Sequence, residues 1–431
     1  MGAISFTNIV NDMLKYTKNI CCFLLCLSVL LTGCKQEWNE NGPSNHEYIK
    51  DVQVLADGVN EIKINNSTRT ITIFFERGTD ISDVEIKLTL SSDAHIVNPS
   101  SLTARYNLND NPVIQIKSGN DNLSYQIVVK YVSKPLRVSR DTWEKQSSFG
   151  DLPSHISIYK YKRDVGGKSA KAYIAVAAIS EKEGKFKVLG EKTGVKTLNI
   201  FYQQNSKPAI VLNGGYFWNE TSLGLMVRDQ QTISHIQPIV NRDYRGVATL
   251  YYPTQGAFGQ EKDHSFSARW VYTSNNILYS YPHPAPNKAG EVPCSVPSAT
   301  YPSGAQKWNP IHAISAGPLL IKDGEYKNLW ENEMFDSASG VGPTYYHPRS
   351  AIGYHPYGYV VLFVCEGRDK TPNIPGMTLK NVADILINFG CTEAINLDGG
   401  GSSCMLVNGK ETIIPSDKNG QRPVTNAVAV Y

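Results

Sequence analysis

The sequence predicts an α+β fold in which strands are numerous and helices are few. Short runs of alternating apolar and polar residues, separated by Asn, Ser, Asp and Gly, recur over residues 47–134. Beyond residue 135, apolar strand-like runs continue, and one stretch has helical spacing. We therefore expect a strand-rich, mixed-sheet domain with few helices over 135–431, preceded by a small all-β, immunoglobulin-like sandwich over 47–134.

The composition is that of a globular protein with a sizeable core. The chain has 431 residues, of which 41% are hydrophobic and 19% charged, and this length is typical of two or three domains. Lys and Arg number 42 and Asp and Glu number 39, so the net charge is only +3. No strong field attracts a polyanion, and no nucleic-acid partner is expected.

The N-terminal segment is typical of export. Lys15 and Lys18 precede an apolar run over 20–31, which is too short for a spanning helix and predicts a signal peptide over 1–33. The run ends at Leu31-Thr32-Gly33-Cys34, which resembles a bacterial lipobox, so Cys34 is expected to be lipidated. Lipidation would anchor the chain to a bacterial membrane, in the periplasm or at the cell surface, through a tether over 34–46. Plain secretion with cleavage elsewhere is the alternative.

Four cysteines remain for the exported part of the chain. Outside the cytosol, Cys294, Cys365, Cys391 and Cys404 could form disulfides in three connectivities, or remain buried free thiols. The sequence has no Cys or His cluster with zinc spacing, so no structural zinc is expected.

The elements of both modules follow from local patterns. In the first module, alternating runs predict strands over 61–64, 70–75, 84–90, 113–116 and 125–129. Lys134-Pro135 marks the boundary. The second module has buried-type strands over 172–177 and 207–212, and hairpins over 224–233, 318–324 and 405–411.

One helix is predicted towards the C-terminus, between two strands. Its apolar residues stand at positions 379, 382, 383, 386 and 389, with Thr378 as N-cap and Gly390 as C-terminal cap. A strand over 359–364 precedes it and leads to Glu366, and a strand over 392–397 follows and leads to Asp398. If these strands are parallel neighbours, both carboxylates emerge at the same sheet edge.

The turn after the last of these strands is the strongest functional signal. Asp398 is followed by Gly399, Gly400 and Gly401, and then by the hydroxyls of Ser402 and Ser403. Consecutive glycines suit a backbone that a ligand approaches closely, and successive N–H groups in such a turn can cradle an anion. Asn213-Gly214-Gly215, at the end of the strand over 207–212, offers a second close approach with an amide donor and acceptor.

Four ordered blocks give the sequence a family resemblance. They are LNGGYF over 212–217, AGPLLIKDG over 316–324, PRSAIG over 348–353 and INLDGGGSS over 395–403, with RPV following at 422–424. These blocks resemble the phosphodiester glycosidase family. The resemblance implies cleavage of the sugar C1–O bond in a carbohydrate phosphodiester, which releases the sugar and a phosphomonoester.

The resemblance and the chemistry together suggest roles for these residues. Asp398 would be the base or nucleophile at the anomeric carbon, and Glu366 the second carboxylate, with Asp369 as its competitor. Asn213 and Asn396 would orient the sugar or water. The guanidinium groups of Arg349 and Arg422, and by position Arg368, would hold phosphate with the glycine turn.

Two alternatives accompany this interpretation. Carboxylates and asparagines near a phosphate site could hold a divalent metal, although no ligand motif of known spacing supports one. The chain could also be a catalytically silent surface lipoprotein that binds glycans or phosphoglycans. No feature of the sequence predicts an oligomeric state.

Overall fold

The structure is a computed structural model, and it describes residues 46–431. The predicted signal peptide over 1–33, the lipidation site Cys34 and nearly all of the tether lie outside the described residues. Within 46–431, no α-helix is both long and apolar enough to cross a membrane.

Residues 49–132 form a β-sandwich. Its strands are β1 (Ile49–Leu55), β2 (Val59–Asn65), β3 (Thr70–Glu76), β4 (Val84–Leu90), β5 (Ala94–Asn98), β6 (Thr103–Tyr106), β7 (Val113–Ser118) and β8 (Asp121–Val132). A three-stranded sheet, β1-β4-β6, faces a five-stranded sheet, β2-β3-β8-β7-β5. Alternate residues such as Ile71, Ile73 and Phe75 are fully buried between the sheets, as the period-two pattern predicts. The finer, immunoglobulin-like assignment stays a prediction.

The sandwich contacts the rest of the chain through polar groups. The largely buried Arg77 pairs with Asp263 at 3.1 Å, and Lys130 pairs with Glu181 at 2.6 Å. The backbone N–H of Lys134 donates to the carbonyl of Tyr357 at 2.9 Å.

The remainder of the chain is rich in strands, as predicted. Its strands are β9 (Trp143–Gln146), β10 (Ile156–Tyr161), β11 (Ala172–Ala178), β12 (Phe186–Gly190), β13 (Ile210–Asn213), β14 (Phe217–Trp218), β15 (Thr221–Ser222), β16 (Met226–Arg228), β17 (Gln231–Ser234), β18 (Val240–Tyr244), β19 (Val247–Tyr251), β20 (Gln255–Gln260), β21 (Phe266–Ser274), β22 (Ile277–Tyr281), β23 (Gln306–Lys307), β24 (His312–Ser315), β25 (Leu319–Lys322), β26 (Glu325–Tyr326), β27 (Arg349–His355), β28 (Tyr359–Cys365), β29 (Glu393–Asn396), β30 (Met405–Val407), β31 (Lys410–Glu411) and β32 (Asn426–Val430). The α-helices are α1 (Leu198–Gln204) and α2 (Leu379–Phe389).

Three large sheets enclose the main core. Their strand orders are β26-β25-β29-β27-β28-β11-β10-β9, β12-β32-β13-β30-β31 and β17-β16-β24-β20-β21-β22-β23. One apolar cluster draws on all three, including Leu212, Phe258 and Ile395, each fully buried. The ends of β13 and β29 are therefore fixed by the same core, and both lead into the site described below.

The predicted helix is confirmed as α2. The Thr378 hydroxyl oxygen accepts from the backbone N–H of Asn381, and the Asn381 Oδ1 atom accepts from the Thr378 N–H. Gly390 ends the helix with φ 102°, a left-handed conformation that costs glycine little. The short helix α1 was not predicted, because seven residues carry too little periodicity.

The three predicted hairpins are also present, as β16–β17, β25–β26 and β30–β31. Asp323-Gly324 and Asn408-Gly409 both have positive φ, as a two-residue turn requires. The cysteines 294, 365, 391 and 404 are free thiols, and the last three are buried.

The strands that lead to Glu366 and Asp398 are not neighbours, which corrects the conditional prediction. β27 lies between β28 and β29 and is antiparallel to both. β28 and β29 therefore run in the same direction, but they lie two strand spacings apart, roughly 10 Å. The sequence between β28 and β29 could not indicate that β27 lies between them in the sheet, because β27 precedes both strands in the chain.

Candidate functional site

Asp398 lies where two sheets meet, and Asn213 holds it there. The Asn213 Nδ2 group donates to the Asp398 carbonyl at 2.7 Å, and the Asp398 N–H donates to the Gly214 carbonyl at 2.9 Å. The Asn213 Oδ1 atom accepts from the Ser350 hydroxyl and from the Cys404 N–H. Asn213 is fully buried. Asn213 therefore positions Asp398. The sequence had suggested instead that Asn213 contacts the sugar or water.

Gly214 and Gly215 serve close packing rather than ligand approach. A Cβ at Gly214 would lie 2.0 Å from the Asn426 Oδ1 atom, and one at Gly215 would lie 2.2 Å from the Ser315 carbonyl oxygen. The Gly215 N–H is already used by the Asn426 side chain at 2.6 Å. These glycines allow two sheets to approach each other beside Asp398.

The Asp398 carboxylate opens into a cavity of about 190 Å³. We call it the charged cavity; its lining residues are Tyr216, Ser339, Gly340, Val341, His347, Arg349, Arg368, Asp398, Gly399, Gly400, Gly401 and Arg422. Of the described residues that line it, Asp398 alone carries a carboxylate, whereas three carry guanidinium groups. The cavity is therefore net positive and favours an anionic solute.

The cavity environment tunes Asp398 itself. Burial raises the pKa of Asp398 to about 6, although the Ser402 hydroxyl, the nearby Arg422 and the Gly399 N–H each oppose the rise. The carboxylate is thus mainly ionised at neutral pH and can accept a proton. These are the properties of a general base or a carboxylate nucleophile.

The glycine turn is explained by the arginines that cross it. A Cβ at Gly400, whose φ is 58°, would lie 2.8 Å from the Arg368 Nη2 atom, and one at Gly401 would lie 2.1 Å from the Arg422 Nη2 atom. A side chain at either position would push a guanidinium group out of the cavity. Glycine is needed here so that both cations can lie close to the backbone beside Asp398.

Most backbone amides of the turn are used internally, which modifies the predicted anion cradle. The Gly400 N–H donates to the Pro348 carbonyl at 2.9 Å, the Ser402 N–H to Gly399 and the Ser403 N–H to Gly400. Ser403 is fully buried and does not line the cavity. Anion binding at this turn therefore depends mainly on the guanidinium groups.

A Gly401→Ala variant should lose anion affinity without losing the fold. The new methyl group would displace only the end of the Arg422 side chain, which can swing into solvent. Losing one charge-assisted contact should weaken inorganic phosphate binding about tenfold, measured by isothermal titration calorimetry. Ser403→Ala is the control in the same turn. Unchanged phosphate affinity in Gly401→Ala would exclude Arg422 as an anion ligand.

Arg349 supports a loop beside the cavity. Its guanidinium group donates to the carbonyls of Met377, Val341, Gly342 and Tyr345, at 3.0, 2.9, 2.6 and 2.8 Å. Arg349 is 2% exposed, and no carboxylate within 46–431 pairs with it. It adds positive charge to the cavity, but most of its donors hold the loop rather than remaining available for phosphate.

Arg368 and Arg422 are the cavity cations with donors to offer. Arg368 is exposed and forms no ion pair with another described residue. The Arg422 Nε atom donates to Asp417 at 2.9 Å, so the Nη atoms face Ser402 and the cavity. Arg368 had been predicted from position alone, and it lies in the cavity with Arg422.

Neither second carboxylate predicted from the sequence lines the charged cavity, and both assignments are corrected. Glu366 is 1% exposed, pairs with Lys171 at 2.6 Å and accepts from the Ile414 N–H at 2.9 Å. Asp369 is exposed and lies outside the cavity lining. The inserted strand β27 separates Glu366 from Asp398. The Glu366 carboxylate contacts Lys171 and Ile414 instead.

Glu366 is expected to matter for stability. Burial alone would raise its pKa, but the hydrogen bonds from Lys171, Thr371 and Ile414 together hold the pKa below the ordinary value. A lowered folded-state pKa means stability that is present above about pH 4 and is lost as pH falls through the folded pKa.

The free energy of unfolding of a Glu366→Gln variant should therefore be about 1–3 kcal/mol lower than that of the parent chain at neutral pH. The loss stays within this range because Lys171 keeps some solvent contact. The difference from the parent chain should shrink below pH 4, as followed by urea denaturation. Turnover per folded molecule should change little. A large loss of turnover at unchanged stability would show that Glu366 takes part in catalysis.

Tyr216, Asn396 and His347 lie behind or beside the cavity, and of these Asn396 had been predicted to orient the sugar or water. The Tyr216 hydroxyl donates to the Gly317 carbonyl at 2.7 Å and accepts from Asn396 Nδ2 at 2.9 Å. Asn396 is 1% exposed and so orients Tyr216 rather than a sugar. His347 lines the cavity, and its buried Nδ1 atom has no partner among the described residues. Its position two residues before Arg349 was the available signal.

Burial, with Arg349 and Arg368 nearby, lowers the pKa of His347. Its imidazole is therefore neutral at pH 7 and can exchange a proton. Within residues 46–431, no group of three or more His, Cys, Asp or Glu side chains is arranged to hold a metal ion.

Known proteins resemble parts of this chain. The human N-acetylglucosamine-1-phosphodiester alpha-N-acetylglucosaminidase is 39% identical over 116 residues, which is 25% of this chain and 22% of the human protein. The SPbeta prophage-derived uncharacterized protein YomE of Bacillus subtilis is 39% identical over 64 residues, 15% of this chain and 10% of that protein. The matched stretches thus span about a fifth or less of these relatives.

Two solved structures are similar at low identity. The zebrafish N-acetylglucosamine-1-phosphodiester alpha-N-acetylglucosaminidase catalytic domain has a TM-score of 0.43 at 19% identity, covering 67% of this chain and 88% of that one. A hypothetical protein from Synechocystis has a TM-score of 0.43 at 16% identity, and the match covers 89% of this chain and 80% of that one.

The sequence model of the phosphodiester glycosidase family, NAGPA, matches residues 206–431. This region is more than half of the 431-residue chain, and it contains Asp398 with the three cavity arginines. The chain therefore belongs to the phosphodiester glycosidase family.

Proposed function

We propose that this chain hydrolyses the bond between C1 of a sugar and the bridging oxygen of a phosphodiester. Water supplies the new oxygen on C1, and the bridging oxygen leaves with the phosphomonoester. Family membership supports a phosphodiester glycosidase-type function. The observation that carries the proposal is the charged cavity, in which one ionisable carboxylate faces three guanidinium groups.

The single carboxylate suits this leaving group. Most glycosidases need a second carboxylic acid to protonate the departing oxygen. The phosphomonoester leaves as a weak base, so cationic contacts from Arg368 and Arg422 can stabilise the charge that develops on its bridging oxygen instead. The reaction therefore does not require Glu366 in the charged cavity.

Asp398 acts at the anomeric carbon in this proposal. With a pKa of about 6 it is ionised at neutral pH and can attack C1 or activate water. His347 lines the same cavity as a neutral imidazole, and in this proposal it exchanges a proton with that water. Arg349 contributes positive field and holds the loop.

The test is a panel of sugar-1-phosphodiesters incubated with the purified chain, with free sugar and phosphomonoester measured together. The proposal expects equal release of both products, and saturable inhibition by inorganic phosphate. Tight binding of the panel without release would instead support a silent glycan- or phosphoglycan-binding protein.

We also propose that the chain is exported and lipid-anchored to a bacterial membrane through Cys34. The support is the sequence of the first 34 residues alone. Cells that express the chain should incorporate labelled palmitate into it, and Cys34→Ala should abolish the label. A label that persists in the variant would refute the anchor.

A further inference from the structure

A second cavity, of about 350 Å³, adjoins the charged cavity. The two share Tyr216, Ser339 and Val341 as lining residues. We call the second one the aromatic cavity, because Tyr216, Phe217, Trp218 and Phe335 line it. A solute that reaches from one to the other passes along the Tyr216 ring.

Among the aromatic side chains that line this cavity, Trp218 is exposed, Tyr216 and Phe217 are partly buried, and Phe335 is buried. Trp218 is 71% exposed, an unusual position for a large apolar side chain that packs against little else. The ring centroids of Tyr216 and Phe335, which line the same cavity, lie 5.6 Å apart. Aromatic faces of this kind offer contact area to flat, partly apolar rings while leaving their polar edges wet.

The charged side chains of the aromatic cavity are already compensated. Arg242 pairs with Asp336 at 2.8 Å. The buried carboxylate of Glu333 accepts N–H groups from Gly256, Leu319 and Trp270 at 2.7, 2.8 and 2.9 Å. A solute that carries net charge therefore gains little here.

Neutral hydrogen-bonding groups remain. The amides of Gln237 and Asn241 are exposed at the rim, and neither side chain bonds to another residue in the described part of the chain. Primary amides offer both donors and acceptors. Aromatic faces combined with such amides match a neutral polyhydroxylated ring.

We propose that the aromatic cavity is the subsite for the sugar ring whose C1–O bond is broken. This inference rests on the proposed function. The phosphate lies between Arg368 and Arg422 in the charged cavity, C1 lies at Asp398, and the ring extends past Tyr216 onto Trp218. The identity of the sugar is then set by Trp218, Gln237 and Asn241.

The test measures sugar and phosphate binding separately from turnover. Saturation-transfer NMR on the full chain uses free N-acetylglucosamine, glucose, galactose and mannose as probes, and calorimetry uses inorganic phosphate. At least one sugar should bind to the parent chain. Trp218→Ala should weaken that sugar at least about tenfold, in line with the loss of a stacking contact, and leave phosphate affinity unchanged. Trp330→Ala, which removes an indole outside both cavities, is the matched control.

Failure of this inference differs from failure of the proposed function. Trp218-dependent sugar binding without turnover of any phosphodiester would keep the subsite and refute the reaction. Turnover in which Trp218→Ala alters selection among alcohols, and not among sugars, would keep the reaction and overturn the sugar subsite. Absence of binding by all four sugars would also overturn it.

Discussion

Replacing Asp398 with asparagine should lower the turnover of a sugar-1-phosphodiester by about 10³-fold, because the amide can neither accept a proton nor attack C1. The backbone bonds that position this residue, from Asn213 and to Gly214, do not involve its carboxylate and remain. Asp369→Asn is the matched control, since Asp369 is exposed outside the cavity.

The same variant should be more stable than the parent chain at neutral pH. The pKa of Asp398 rises from 3.8 to about 6 on folding, so the folded state binds the proton more tightly than the unfolded state. Stability is therefore lost as pH increases from about 4 to 6, by up to about 3 kcal/mol. Asparagine removes this cost, and the gain should vanish near pH 4 in urea titrations.

The pH profile gives an independent check on the same carboxylate. If the ionised form of Asp398 is the active one, kcat/KM should fall about tenfold per pH unit below about pH 6 and level off above it. Arg422→Gln removes a cation that lowers this pKa, so the acid limb should move to higher pH. An acid limb at an unchanged pH would show that Arg422 does not affect the pKa of Asp398. Retained turnover by Asp398→Asn would remove Asp398 from the chemistry.

Replacing Arg349 with methionine should destabilise the chain by about 2–4 kcal/mol. Four carbonyl groups lose their donor at once: that of Met377 is buried and those of Val341, Gly342 and Tyr345 are partly buried, and each one left unpaired away from water costs about 1 kcal/mol. Relief of a buried charge without a carboxylate partner offsets part of this loss. Chemical denaturation monitored by circular dichroism measures the change.

Turnover by Arg349→Met should also fall, because the loop over 341–345 borders the cavity and loses its support. Arg368→Met is the contrasting variant: an exposed cavity arginine whose loss should weaken phosphate binding and leave stability unchanged. If Arg349→Met were as stable as the parent chain and lost only phosphate affinity, Arg349 would be a direct phosphate ligand, as the sequence suggested.

Local features of the site were readable from the sequence because they lie within single segments. The strand, Asp398 and the glycine turn are contiguous, and the blocks at 212–217 and 348–353 were correctly associated with them. The helix α2 could be predicted with its caps because both caps are local side-chain and backbone signals.

The roles of individual residues were less readable, because they depend on strand order and on hydrogen-bond partners. Glu366 was assigned to the site as if β28 and β29 were adjacent, whereas β27 separates them. Asn213 and Arg349 were predicted to contact substrate, but their polar atoms are mostly engaged by the backbone. Such partners come from distant segments and leave no local pattern in the sequence.

The most direct test of the proposed reaction is hydrolysis of a sugar-1-phosphodiester in water enriched in ¹⁸O, with mass analysis of both products. Cleavage of the C1–O bond at Asp398 predicts that the label enters the sugar hydroxyl at C1 and that the phosphomonoester carries none. Label in the phosphomonoester, with an unlabelled sugar, would show attack at phosphorus and contradict the account.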